Sequence, residues 1–414
     1  MTHAVKNSSQ SGNQPAASPK VLVVSGTVPG DDGVGAILLK SICERLPRHQ
    51  LTSYMLIPRT ADPDAHSDWI DAFAFRRYEH GLRPIGGLLG DCVSHAAHLV
   101  LFRKHMRSIV RQGVRLGHAS ACNLVLAVME SPSAIFAAHP IAAELGVPLV
   151  PFVMDAPELT AQQWGLDRWS RAALLRAFDV ALHNALRIGV AGESMQTAYE
   201  QRFQRPAVIL RQGTNHSTLT SEARTPPTGG TLRIGFAGSV TAKDAFACLV
   251  EGLDAQHWKV AGMDVTLRII GGRYVCNSSG PQRIEYLGWQ AVSDTIRLLS
   301  ECDLLYLPQP FSAQLREFAE LSFPNKMCTY ASTQRPILLH APPYASLVEF
   351  YREFPCGPVC NTLDPDEVMQ ELTRLVSDHA YYAKCIEHGR RSLSDRLSTA
   401  ALDSNVATLL AEEP

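Results

Sequence analysis

The sequence predicts an α/β protein of two doubly wound domains that face each other across a cleft. Three observations carry this expectation. Short, wholly apolar strand segments alternate with helical stretches, and such strands belong to parallel sheets covered on both faces. The alternation stops in a stretch rich in Ser, Thr, Pro and Gly at 216–230 and then restarts. At 414 residues, the chain is expected to divide into two cores of about 200 residues rather than build one.

In the first half, 21–24 is an all-apolar strand, followed by a loop from Gly26 to Gly35 and an amphipathic helix over 36–46. Further strands are expected at 51–57, 124–129, 149–154, 180–182, 188–191 and 207–210. The apolar run 134–154 approaches membrane-spanning length. Pro140, Glu144, Pro148 and Pro151 interrupt it, so it reads as a helix, a turn and a buried strand. In the second half, strands are expected at 232–236, 265–270, 284–287, 304–307, 336–339 and 357–360. Helices fit 244–253, 293–300 and a region beginning at Asp364. The domain plan is a disordered tail at 1–18, a first domain at 19–215, a linker at 216–230, a second domain at 231–391 and a helical segment at 392–414.

Apolar residues make up 46% of the chain and charged residues 19%, which fits a globular protein. A net charge of −2 gives no global attraction to nucleic acid. Of the ten cysteines, only Cys356 and Cys360 are close in sequence. This pattern suits free thiols of a reducing compartment better than zinc or a disulfide framework. Residues 1–18 have no apolar core of signal-peptide length, and no spanning helix is expected, so the expected location is cytoplasmic.

Two segments carry ligand chemistry. In 232–239, an apolar strand ends in the turn Gly238-Ser239, with Lys243 at the start of the next helix. Free backbone N–H groups and the positive end of a helix dipole there suit an anion. Farther on, Phe323-Pro324-Asn325-Lys326 puts a second lysine at a proline-limited helix start, ahead of Tyr330 and Pro336. Two anion-reading turns in one half point to a nucleotide-linked ligand with a diphosphate. Such sheets bind ligands at the carboxyl ends of their strands, which places the site in the cleft between the domains.

Arg103, Arg107, Arg111 and Arg115 recur at four-residue steps and form one stripe if helical. Leu88 and Leu89 lie in a nearby glycine-rich loop at 84–90. Two readings stand side by side. One is a peripheral contact with an anionic membrane surface or a lipid diphosphate. The other is a solvated face, broken early by Gly113.

Several local patterns, taken in order, resemble a known family. They are Val23-Val24-Ser25 followed by Gly30 to Gly35, and Pro151 to Glu158 with its Asp155-Ala156-Pro157-Glu158 end. They continue with Val190-Ala191-Gly192-Glu193-Ser194-Met195, Val208 to Asn215, and Phe236-Ala237-Gly238-Ser239 with Lys243. Ile269 to Gly272, Tyr286 to Trp289, and Phe323 to Ala331 complete the series. Over about 21–391 the chain resembles retaining glycosyltransferases of the GT-B fold, with two Rossmann-like domains and a "glycosyl transferases group 1" C-terminal domain. Three positions depart from the family pattern. Ser239 stands where a basic residue is usual, Thr329 stands where a glutamate usually holds the ribose, and Gln334-Arg335 replaces a glycine-containing pair.

The resemblance implies transfer of a hexosyl-type sugar from a nucleotide-diphosphate sugar to a saccharide or lipid-linked acceptor, in bacterial surface polysaccharide assembly. No metal or other cofactor is expected. Positive charge develops at the anomeric carbon and negative charge on the leaving diphosphate, which Lys243, Lys326 and the amides around Gly238 and Ser239 would stabilise. Pro324, Asn325 and Thr329 would complete the donor site, and Glu320, with Glu317 as its alternative, would bond donor hydroxyls. In the first domain, Gly33 and Gly35 would lie close to the diphosphate or the acceptor. Asp155 would orient or deprotonate the acceptor hydroxyl, or else cap a helix. No catalytic nucleophile stands out. A nucleotide-sugar epimerase of the same fold and a catalytically silent binding homologue remain as alternatives.

Overall fold

The computed structural model describes residues 19–31, 33–63, 68–79, 87–214, 225–272 and 274–411. The expected tail and positions 216–224 of the expected linker lie outside the described residues. The first lobe contains β1 (Val21–Ser25), α1 (Val34–Cys43), β2 (Leu51–Ile57), β3 (Ala72–Phe75), α2 (Gly87–Ala97), α3 (Arg103–Ala119) and β4 (Leu124–Val128). It continues with α4 (Pro132–Leu145), β5 (Leu149–Val153), α5 (Pro157–Gln163), α6 (Arg168–His183), β6 (Ile188–Val190), α7 (Glu193–Phe203) and β7 (Ala207–Ile209). Its seven strands are parallel, in the order β3-β2-β1-β4-β5-β6-β7. Strand order reverses at β1 and β4, so a crevice opens at their carboxyl ends.

The second lobe contains β8 (Thr231–Ala237), α8 (Lys243–Ala255), β9 (Lys259–Val260), β10 (Met263–Ile270), β11 (Ile284–Gly288), α9 (Val292–Ser300) and β12 (Leu304–Pro308). It continues with α10 (Arg316–Leu321), α11 (Lys326–Ala331), β13 (Ile337–His340), α12 (Ser346–Glu353) and β14 (Val359–Cys360). The helices α13 (Pro365–Ser377), α14 (His379–Asp395) and α15 (Thr399–Leu410) follow. The sheet runs β11-β10-β8-β12-β13-β14, with short β9 antiparallel on β10 and its reversal between β8 and β12. The all-apolar strands that the sequence offers are the buried centres of both sheets: every residue of β1, β4, β5 and β12 is buried.

Four local expectations are corrected. The strand expected at 180–182 is the end of α6. Leu174, Phe178, Ala181 and Leu182 share its buried face at helical spacing, and Asp167 caps its start by accepting from Trp169 N and Ser170 N. The helix, turn and buried strand expected over 134–154 are α4 and β5, but Pro140 lies inside α4 instead of interrupting it. Gly113 does not break α3. It is buried within that helix, and a Cβ there would lie 2.6 Å from Ile141 Cδ1 of α4, so the absent side chain lets the two helices close. The boundary expected between 391 and 392 falls inside α14. The last helix, α15, returns to the first lobe, where Leu402, Val406, Leu409 and Leu410 join the core under Val21, Leu51 and Val208.

Seven of the ten cysteines are buried. Among the described residues, no helix is long and apolar enough to cross a membrane. Beside β14, a Cβ added at Gly357 would meet Ile337 O of β13 at 2.1 Å, a clash with backbone that cannot rotate away. Gly357→Ala should therefore cost about 1–3 kcal/mol in urea unfolding, and an unchanged midpoint would contradict this packing of β14 on β13.

Candidate functional site

The glycine turn after β8 is built by close backbone approach. Gly238 has φ 99° and donates its N–H to Ile270 O at 2.8 Å. Gly271, at φ 114°, packs behind it, and a Cβ there would lie 3.1 Å from Gly238 backbone atoms. Ala237 N donates to the buried Tyr330 hydroxyl at 2.7 Å, which ties the end of β8 to α11. Lys326, one turn earlier on α11, is thereby brought over the turn. Its ammonium donates to Ser239 O at 3.0 Å and lies 4.4 Å above the Phe236 ring. Among the described residues, no carboxylate pairs with it. Burial therefore acts unopposed and pulls its pKa from 10.5 down to about 8.

Lys326 opens onto a cavity of about 340 Å³ between the lobes. The second lobe contributes Ser322, Phe323, Pro324 and Asn325, which lead into α11. The first lobe contributes Val34 and Gly35 from the start of α1, Thr27, and the residues just past β4 and β5: Met129, Glu130, Met154 and Asp155. Gly35 sits beside Met154, whose Cε would lie 3.4 Å from an added Cβ, an ordinary contact. Asp155 accepts from Ser322 Oγ of the opposite lobe at 2.8 Å, and burial raises its pKa. It caps no helix, since Ala156 holds that position before α5.

Glu130 was not singled out by the sequence. Its one signal there is a carboxylate two residues past an all-apolar strand. Burial raises its pKa, against hydrogen bonds from Ser25 Oγ at 3.0 Å and Thr27 N at 2.7 Å.

The other expected site residues are distributed as follows. Gly238, Ser239 and Lys326 come together, and Gly35, Asp155, Pro324 and Asn325 line the cavity with Lys326. Lys243 heads α8 in an exposed position outside that lining. Gly33 precedes α1 at φ 90° with open space around it. Glu320 pairs with Arg316 at 2.9 Å, one helical turn away and outside the lining. Glu317 faces Glu158 across the lobes, and burial with this like-charged neighbour raises its pKa to about 7. Thr329 is partly buried on α11, one turn after Lys326. Gln334 adopts φ 54°, the left-handed conformation that favours glycine, and accepts from Arg390 Nε at 2.6 Å. Arg335 is buried and donates to Cys302 O at 2.9 Å and Gln334 O at 2.9 Å, so the unusual pair is satisfied within the fold.

No family model matches the chain, and no curated protein sequence matches it. Solved structures do. Anabaena HepE in complex with UDP aligns with a TM-score of 0.61 and 14% identity over 94% of this chain and 99% of that one. Sucrose-phosphate synthase from Thermosynechococcus elongatus aligns with a TM-score of 0.61 and 12% identity over 94% of this chain and 98% of that one. The lipopolysaccharide outer core galactosyltransferase WaaB, in apo form, aligns with a TM-score of 0.57 and 12% identity over 94% and 99%. The chain thus has the GT-B architecture of two parallel-sheet α/β domains.

A half-buried ammonium without a carboxylate partner among the described residues weakens the fold at neutral pH. A lysine whose folded pKa is depressed gains stability as pH rises from about 8 towards its unfolded value of 10.5. Lys326→Met should therefore raise the thermal midpoint at pH 7, and its advantage should shrink between pH 8 and 10.5. A lower midpoint at pH 7 would show that the ammonium is stabilised by its surroundings.

Proposed function

We propose that this protein is a glycosyltransferase. It takes a nucleotide-diphosphate sugar as donor and a saccharide or lipid-linked molecule as acceptor. The observation that carries this reading is Lys326: a half-buried cation at a glycine turn, facing an interlobe cavity and, among the described residues, with no anionic partner. A diphosphate supplies the missing charge. Its negative charge grows as the sugar departs, so an ammonium and backbone dipoles already in place stabilise the transition state more than the ground state. The proteins of like fold include HepE, with structures in complex with UDP and with UDP-glucose.

Asp155 is the acceptor-side carboxylate of this reading. Burial raises its pKa, which suits a group that takes a proton from a hydroxyl. Its bond to Ser322 spans the lobes, so the base is in place only when they are together. The reaction is proposed to retain anomeric configuration, to need no metal, and to serve surface polysaccharide assembly in the cytoplasm. Lys243 takes part if the ligand extends past the cavity to the head of α8. A silent homologue is the second reading, favoured by Ser239 and Thr329. It would bind a partner but release no nucleoside diphosphate under any donor.

A membrane-facing role is proposed for the helix that bears the arginine stripe. Arg103, Arg107, Arg111 and Arg115 are all exposed on α3 and, among the described residues, have no carboxylate partner. Leu88 and Leu89 of α2 are 62% and 81% exposed, and Val100 between the helices is 68% exposed. A cationic stripe beside apolar side chains suits an anionic bilayer surface.

Two experiments test these readings. In a thermal-shift panel of nucleoside diphosphates and nucleotide sugars, at least one compound should raise the melting temperature. Loss of a charge-assisted contact costs about 1.5–3 kcal/mol, so Lys326→Ala should weaken that binding by about 10–100-fold. Wild-type affinity should also fall as pH rises above about 8, where the ammonium loses its proton. A flat panel, or a Lys326→Ala protein that binds as well as wild type, would overturn the assignment. For the surface, wild type should sediment with phosphatidylglycerol vesicles, whereas a variant with all four arginines changed to glutamate should stay in the supernatant. Equal partition would remove the membrane contact.

A further inference from the structure

Across the cavity from Lys326, at the carboxyl ends of β1 and β4, lies a second polar cluster with the opposite charge balance. Glu130 is its centre. Its Oε1 accepts from Ser25 Oγ and Thr27 N, but its buried Oε2 has no hydrogen-bond partner. The nearby cation is Arg76, which lies 3.6 Å from Glu79 Oε2. Glu79 is itself buried and accepts from Ser133 N at the start of α4, while Ser133 Oγ is buried with no partner. Among the described residues, the cluster thus holds two carboxylates to one guanidinium. A buried acceptor left unpaired costs about 1–3 kcal/mol, and a donor group on a ligand would remove that cost.

We propose that Glu130 is a positioning residue of the acceptor site and that its free carboxylate oxygen receives a hydroxyl from an uncharged saccharide end of the acceptor. This rests on the glycosyltransferase reading and deepens it. Two facts argue against a phosphate at this end. Among the described residues the cluster has more carboxylates than cations, and an ionised carboxylate oxygen without a partner accepts a hydrogen bond and donates none. The cavity is therefore polarised, with an ammonium on the donor lobe and a hydrogen-bond acceptor on the other. A ligand that fills it has an anion at one end and hydroxyls at the other. Glu130 would hold the acceptor ring while Asp155, bonded across the lobes, stands closer to the second domain.

The test uses ligand binding by saturation-transfer NMR on wild type, Glu130→Gln and Glu130→Asp, all in the presence of UDP. The probes are the methyl glycosides of glucose, galactose, mannose and rhamnose, with glucose 6-phosphate as the charged comparison. At least one neutral glycoside should bind wild type and bind each variant at least about tenfold more weakly, since Gln offers one acceptor fewer and Asp withdraws the oxygen. Glucose 6-phosphate should bind no better than the neutral sugars. The seat is overturned if no neutral glycoside binds wild type, if both variants bind it as wild type does, or if the phosphate binds best. UDP titrations of the same proteins separate the two claims. Glycoside binding that depends on Glu130 without any UDP binding would sustain the seat and sink the nucleotide-sugar reading.

Discussion

The site depends on one placement: the Lys326 ammonium held over the Gly238 turn. An ammonium half withdrawn from water without a carboxylate raises the energy of the fold, and a surrounding that holds it in place has to be rigid. Here the rigidity comes from backbone. Gly238 and Gly271 both take positive φ, a Cβ on Gly271 would crowd the Gly238 backbone at 3.1 Å, and Tyr330 pins the end of β8 to the helix that bears the lysine. The single hydrogen bond to Ser239 O orients the ammonium without neutralising it. What remains is positive charge in a partly desolvated place, and electrostatic attraction to an incoming anion is strongest there.

The two lobes meet around this placement through a few specific contacts. Arg211, at the end of the first lobe's sheet, stacks 3.6 Å from the Phe323 ring of the segment that leads to Lys326. The same guanidinium donates to Ala191 O and to Glu193, whose carboxyl it holds low although burial alone would raise it. Gly192 leaves room for this stack, since a Cβ there would lie 3.0 Å from Phe323 Cβ. The Ser322–Asp155 bond lies next to it. Chain topology adds a further tie, because α15 leaves the second lobe and completes the core of the first. The position of the Lys326 segment relative to the first lobe is thus fixed by an aromatic–guanidinium stack, a hydrogen bond and a shared helix.

Much of this was legible in the sequence, for a physical reason. Strands buried on both faces must be apolar throughout, so β1, β4, β5 and β12 stand out as runs. A turn that needs positive φ or close approach leaves a glycine, as at Gly238. Less legible were elements that depend on partners far along the chain. β3 is a short edge strand whose residues are only partly buried, so it lacks the apolar signature. The apolar cluster 180–182 looks like a strand until Leu174 and Phe178, a turn or two earlier, show its helical face. Gly113 reads as a breaker because Ile141, which needs the space, is 28 positions away. Site residues divided in the same way. Lys326 was visible because its motif is local. Glu130 was not, because its importance comes from Ser25 and Thr27 at the end of another strand. Glu320 had the right chemistry, but Arg316 one turn back takes it.

The central claim is that the Lys326 ammonium receives its missing counter-charge from a diphosphate. Proton uptake on binding tests this directly. Free Lys326 titrates near pH 8, and a bound diphosphate would hold the ammonium charged well above that pH. Calorimetric titration of UDP at pH 8, repeated in buffers of different ionisation enthalpy, should therefore show uptake of about half a proton per UDP bound, a linkage expected of a group at its midpoint. Lys326→Ala should show none. UDP that binds wild type with no proton uptake at pH 8 would contradict the account, since the anion would then rest somewhere other than against this lysine.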